Sequence, residues 1–271
     1  MAVTFNRIPE TSDEIKCFYR LGDFPWHDHH SHADDPLHSE KNRIIEEAIE
    51  LLKPGSLIDI GCGSGKLLYA VSPFVKTLAV GLDISEKGFS SCCGDIVAVC
   101  GDAERLPIGD NRFECVVCSD VLEHLPNPET ALSEIGRILL PEGHLIATVP
   151  NMFCLDSFEG KTHLIESTIK SANRLGKMLG LDEIFPAGWN THIHKKIVRE
   201  WKYIINNAGF VVIDDKPIYL FPYIPYFMQR LKKIECNIWR YSIVRRINSF
   251  SGRVTSLAKL GQLHFFLCRK H

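Results

Sequence analysis

No stretch of the 271 residues approaches the roughly 20 consecutive apolar positions of a membrane-spanning helix. The amino-terminal MAVTFNRIPE lacks an apolar signal core, so the expected location is the cytoplasm. Internal repeats and low-complexity tracts are absent, which excludes solenoids and arrays. Net charge is scarce, at −2. Cysteine is not scarce, at ten, yet no disulfide scaffold follows. Cys62, Cys100, Cys115 and Cys118 fall in predicted strands or a glycine turn, where a thiol serves as a small apolar side chain. Cys115-x-x-Cys118 has the spacing of a zinc pair but lies on a strand with no second pair nearby, so no metal is expected. With 45% hydrophobic residues, the length supports one soluble domain with a full core.

Residues 57–68, LIDIGCGSGKLL, carry the strongest signal. An apolar run ends, Gly61, Gly63 and Gly65 occupy alternate positions, and a helical pattern resumes. A turn without side chains lets a ligand lie against the main chain, beside the amides of a helix start. The dinucleotide fingerprint G-x-G-x-x-G fits poorly, because its third glycine would be Lys66. Asp59 instead precedes the first glycine by two residues. That carboxylate would repel a pyrophosphate and suits a cofactor bearing an ammonium and a sulfonium.

Two further carboxylates follow. Asp83 closes the apolar run 77–82, where it can accept both hydroxyls of a ribose. Asp102 follows the strand 96–100 and can accept an adenine amino group, with the Ala103 amide reaching a ring nitrogen. A fourth strand, 114–118, leaves Ser119 and Asp120 at its carboxyl end. In open α/β sheets ligands sit outside those strand ends.

The remaining periodicity completes a doubly wound, Rossmann-like, mostly parallel seven-stranded sheet with helices on both faces. Ser39 is expected to cap a helix over 40–52, stopped by Pro54-Gly55. Helices are expected over 128–139 and 195–208, and strands at 145–149, 210–213 and 263–268. The chain reads as one domain: a flap over 1–38, a cofactor-binding core over 39–150, and substrate-side insertions at 151–191 and 218–260.

IDIGCGSG, GLDIS, GDAERLP, SDVLEHLPNP and RILLPEGHL, in order from about Arg43 to Pro150, resemble successive motifs of class I S-adenosylmethionine-dependent methyltransferases. The run THIHKKIVREWKYIINNAGF resembles the histidine-then-helix segment after the fifth strand in many small-molecule members. Within that superfamily the chain is most similar to the O-methyltransferases of ubiquinone biosynthesis. Those carry an Arg in the helix before the glycine turn, where Arg43 stands, and an acidic-x-x-Glu-His sequence, here Asp120, Glu123 and His124. The chain departs at Leu140 and Glu142, where Lys and Gly are usual, and at Asp120, where Glu is usual. The resemblance implies S-adenosylmethionine as cofactor and an antiparallel last strand. Asp59, Gly61, Cys62 and Gly63 would hold the amino-acid end beside Arg43, Asp83 the ribose, and Ile84, Asp102 and Ala103 the adenine. Ser119 would lie near the methionine portion. It also leaves open a divalent ion on Asp120, Glu123 and His124.

Methyl transfer to oxygen, nitrogen or carbon is an in-line displacement, in which the protein aligns the acceptor and assists deprotonation of a hydroxyl. His192 and His124 are the candidate bases. The expected reaction is O-methylation of a small-molecule or lipid-linked acceptor. A nicotinamide-dependent oxidoreductase and a non-catalytic cofactor-binding partner subunit are the alternatives.

Charge is segregated. Residues 195–271 hold 15 Lys/Arg against 4 Asp/Glu, a net of +11, and residues 1–194 carry −13. Around 224–249, apolar Ile224, Phe227, Leu231, Ile234 and Ile238 recur at helical spacing among six cations. This basic helix either packs its apolar face on the domain or meets a membrane surface peripherally. No nucleic-acid partner is expected. The segment FPWHDHHSHADDPLH, with His27, His29, His30, His32 and His38, reads as part of a lid in which Trp26 shields the cofactor, rather than as a metal site.

Overall fold

The computed structural model describes residues 11–21, 36–91, 97–151, 193–194, 196–218 and 263–271. His192, Trp26 and its neighbouring histidines, the insertion beyond Asn151 and the basic stretch at 224–249 lie outside these residues. No described helix is long and apolar enough to cross a membrane.

Seven strands form one sheet: β1 (Ser56–Ile60), β2 (Leu78–Asp83), β3 (Val97–Cys100), β4 (Phe113–Ser119), β5 (Leu139–Pro150), β6 (Phe210–Ile218) and β7 (Leu263–Lys270), in the order β3-β2-β1-β4-β5-β7-β6. The first five pair in parallel, while β7 inserts antiparallel between β5 and β6. Central strands of a parallel sheet are covered on both faces and so read as continuous apolar runs. In β1, Leu57 and Ile58 face opposite sides and both are fully buried.

Helices α2 (Pro36–Leu52) and α3 (Lys66–Val71) cover one face, where Ile45, Ile49 and Leu68 pack with Leu57, Val117 and Phe265. Helices α4 (Pro128–Ile138) and α5 (Val198–Asn207) cover the other, where Leu132, Ile135 and Trp201 pack with Ile58, Val116 and Phe266. Each fully buried Leu or Ile contributes about 1.5–3 kcal/mol relative to an exposed one. The strand order reverses between β1 and β4, and the crevice at their carboxyl ends is the place such a sheet offers a ligand.

Helix α2 begins at Pro36, so Ser39 lies inside its first turns rather than capping it; proline is favoured at a helix start because its fixed φ suits the first turn. Strand β6 continues to Ile218, five residues beyond the expected end, past a register shift between Val212 and Asp214. The pairing with β7 carries it through polar positions that hydropathy alone reads as loop. An additional helix, α1 (Ser12–Leu21), precedes the core. The Glu14 amide donates to Thr11 Oγ1 and the Thr11 amide to Glu14 Oε2, both at 3.2 Å. This is a capping box, legible in the spacing T-x-x-E.

Candidate active site

At the end of β1 the chain turns through Gly61, whose φ is +75°. A side chain here would be strained and would also collide with Val121. The Gly61 and Cys62 amides donate to the Leu82 carbonyl at 2.7 and 3.1 Å, fastening the turn to β2. Gly63, at φ +51°, differs: among the described residues a Cβ there would meet nothing within 4 Å. The turn therefore presents bare backbone to open space on this side.

Asp83, at the tip of β2, accepts from the Gly63 amide at 2.8 Å and from the Ser85 amide at 2.9 Å, one on each oxygen. It thus splints the glycine turn, and each carboxylate oxygen retains a second lone pair for a hydroxyl. Asp102, after β3, accepts from the Glu104 amide at 2.9 Å and pairs with Lys16 of α1 at 2.7 Å. Ala103 beside it is buried, and Ile84 is half-buried.

Asp59 is 3% exposed. Burial pushes its pKa up to about 7; the Lys41 ammonium opposes this and the Asp83 charge reinforces it. Lys41 reaches into the site from α2 and pairs with Asp120 Oδ2 at 2.7 Å. Asp120 also accepts from Thr148 Oγ1 at 2.7 Å, and Thr148 in turn lies 3.0 Å from Ser119 Oγ. Burial acts to raise the Asp120 pKa, but Lys41 and Thr148 hold it below the ordinary carboxylate range. The Asp120 φ of +55° is a strained conformation for a residue with a side chain, fixed here by the ion pair and by the bond from its amide to the Thr148 carbonyl.

The structure does not bring Arg43 to this site. Its guanidinium is half exposed and pairs with Glu40 and Glu47 on the helix surface. Lys41, two positions earlier, points about 200° around the helix from it, onto the buried side. The resemblance implied Arg43, which the structure turns to the helix surface, while Lys41 of the same helix faces the strand tips. Only packing of α2 against the sheet distinguishes the two.

Glu123 is 1% exposed. Burial first, and then the neighbouring Asp120 charge, push its pKa well above the ordinary carboxylate value. Among the described residues its Oε2 has no hydrogen-bond partner. Its carbonyl accepts from the Ile193 and His194 amides at 2.9 and 3.0 Å. That clamp returns the chain beyond His192 to the tip of β4. His124 approaches Glu123 Oε1 through Nε2 at 3.8 Å, and its Nδ1 lies 2.7 Å from the Tyr19 hydroxyl. Asp120, paired with Lys41, and Glu123, whose buried carboxyl resists ionisation, are poor donors for the divalent ion that the motif left open.

Sequence reasoning gave α1 no role. Lys16 pairs with Asp102 at 2.7 Å and Glu104 at 2.8 Å, Lys87 donates to the Leu21 carbonyl at 3.0 Å, and Tyr19 meets His124. The helix thus lies across the tips of β2, β3 and β4.

A crevice at the reversal point of an open sheet, floored by a glycine turn and edged by carboxylates at successive strand tips, defines a nucleoside-cofactor fold of the doubly wound class. Residues 58–147 match the family model described as a methyltransferase domain. The chain is 25% identical to 24-methylenesterol C-methyltransferase 2 of Arabidopsis thaliana over 231 residues, 79% of this chain and 58% of that one. It is 29% identical to the ubiquinone biosynthesis O-methyltransferase of Coxiella burnetii over 126 residues, 43% of this chain and 53% of that one. The chain spans about half the length of the curated relatives it matches.

Among solved structures, the complex of the Haloferax volcanii Trm112 methyltransferase activator with a putative methyltransferase superposes with a TM-score of 0.54 at 18% identity, covering 88% of this chain and 92% of that one. The [4+2]-cyclase SpnF superposes with a TM-score of 0.53 at 18% identity, covering 84% and 80%. One architecture accompanies different chemistries, so the activity must be argued from the site.

The described residues fit the sulfonium cofactor. The space over Gly63 is what a Cβ would fill, Asp59 offers a buried carboxyl to an ammonium, and Lys41 offers a cation to a carboxylate. When bound, the cofactor supplies an electrophilic methyl group and its own leaving group.

Proposed function

We propose that the chain is an S-adenosylmethionine-dependent methyltransferase that methylates a hydroxyl of a small-molecule or lipid-linked acceptor. The observation that carries this reading is the open backbone at Gly63, whose amide donates to the Asp83 carboxyl, with the buried Asp59 carboxyl within electrostatic reach of Asp83. Asp59 and Lys41 receive the amino-acid end, Asp83 the ribose, and Asp102 with Ala103 the adenine edge. Ser119 borders the methionine portion. The tip of β4, with His124 and the chain leading from His192, receives the acceptor. A hydroxyl acceptor needs proton removal, which a histidine near neutrality supports by about 10²–10⁴-fold.

Carbon methylation of a lipid is the second reading, favoured by the 231-residue match to a sterol C-methyltransferase. Both readings accord with a basic stretch at 224–249 that approaches a lipid surface. Calorimetry with S-adenosylmethionine and S-adenosylhomocysteine tests the donor site. Absence of heat with both, or tighter binding of NADH, would sink the reading. Incubation with radiolabelled donor and fractionated lipid, sugar and phenolic extracts identifies the acceptor. An intact donor site without turnover in every fraction would favour a non-catalytic subunit.

A further inference from the structure

From the Tyr19 hydroxyl 2.7 Å from His124 Nδ1, on a helix anchored at two other strand tips, we infer that Tyr19 is a positioning residue of the acceptor site that holds the His124 imidazole in one orientation and one tautomer. The inference rests on the methyltransferase reading for its purpose, but the pairing is tested without it.

His124 follows β4 in a short 3₁₀ turn (Leu122–His124), where its ring has no helix or strand of its own to fix it. Two described groups lie beside it. Glu123 Oε1 lies 3.8 Å from Nε2, beyond hydrogen-bond reach. The Tyr19 hydroxyl reaches Nδ1 at a normal distance, and the two rings meet edge-on with centroids 5.4 Å apart. A phenol with a pKa near 10 is a better donor than acceptor toward a neutral imidazole. The Tyr19 hydroxyl therefore donates to Nδ1, and the ring proton sits on Nε2, turned toward Glu123.

The anchoring of α1 makes this more than a local contact. Thr11 and Glu14 cap its start, Lys16 ties its middle to Asp102 and Glu104, and the Leu21 carbonyl at its end accepts from Lys87. Tyr19 lies between these last two anchors. The helix that covers the adenine-side carboxylate is thus the one that orients the acceptor-side histidine. His124 takes its working geometry only while α1 lies across the crevice.

The test uses the full chain with ring ¹⁵N-labelled histidine, the His124 signals being assigned by their loss in His124→Gln. Wild type is expected to show His124 as the Nε2–H tautomer, with Nδ1 shifted as a hydrogen-bonded acceptor. In Tyr19→Phe the Nδ1 signal moves toward the unbonded position, while the affinity for S-adenosylhomocysteine stays within about twofold. Methyl transfer to an acceptor found in the extracts falls at least tenfold, because the base loses its fixed geometry. An Nδ1–H tautomer in the wild type, or identical His124 signals in wild type and Tyr19→Phe, overturns the inference. Loss of donor binding in the wild type would instead overturn the methyltransferase reading and leave the Tyr19–His124 pair intact.

Discussion

Asp59 makes donor binding a proton-linked event. Its carboxyl is buried, lacks the amide donors that Asp83 enjoys, and has its pKa pushed up to about 7. An ammonium placed against it requires the ionised form, so binding expels the remaining proton. The apparent dissociation constant then varies as one plus ten to the power of pKa minus pH. Between pH 7 and pH 5 that factor grows from about 2 to about 100, so binding should weaken roughly fiftyfold, or about 2.3 kcal/mol. The cofactor's own amino group stays protonated over this window, which keeps the comparison clean. Calorimetry of S-adenosylhomocysteine at pH 5, 6 and 7, each in two buffers of different ionisation enthalpy, reads both the affinity and the protons released. Asp59→Asn should bind weakly and with little dependence on pH.

The same shift has a stability counterpart. A carboxyl whose folded pKa is raised stabilises the fold below its unfolded pKa, and that contribution is lost as pH rises from about 4 through about 7. At pH 8 the ionised Asp59 therefore costs up to about 4 kcal/mol, and Asp59→Asn should melt at a higher temperature than wild type there but not at pH 4. An affinity unchanged from pH 5 to 7, with no buffer-dependent heat, would refute the placement of Asp59 against the ammonium.

Other substitutions separate neighbouring residues by role. Lys41→Met strands the buried Asp120 carboxylate and should cost about 3 kcal/mol in urea denaturation, whereas Arg43→Ala, on the exposed face, should cost no more than about 1 kcal/mol. Gly61→Ala should lower the melting temperature, because both its φ and Val121 forbid a side chain. Gly63→Ala should cost only about 1–3 kcal/mol of backbone strain yet abolish donor binding in calorimetry, because its Cβ enters the ligand's space. Lys16→Met removes two partly exposed ion pairs worth about 0.2–1 kcal/mol each. It should leave the global melting temperature within a degree or two while speeding amide hydrogen exchange over residues 12–21.

The fold was legible because its signals are local and repeated. Apolar runs of strand length, each ending in a carboxylate and followed by a helical pattern, name β1 to β4 and the ligand-bearing edge without any tertiary information. The glycine turn is equally legible, since Gly61 and Gly63 are demanded by backbone conformation. The tips of β1 to β3 do carry Asp59, Asp83 and Asp102 as the order of the motifs requires. Helix α1 was missed although Thr11-x-x-Glu14 announces it, because a ten-residue amphipathic helix far from any motif offers no reason to weigh its cap. The extra length of β6 was missed because Asp214, Asp215 and Lys216 look like loop and become strand only through pairing with β7.

By itself the sequence determined the order of strands and helices, the class of fold and the chemical kind of cofactor, all of which follow from spacing along the chain. Tertiary structure decided which of two cations on α2 faces the strand tips, that the Tyr19 hydroxyl lies beside His124 Nδ1, and that Glu123 is buried next to Asp120. Those outcomes depend on the direction in which a side chain leaves its helix and on how much water its neighbours exclude. Distance through space and burial set both, and neither is written in sequence separation.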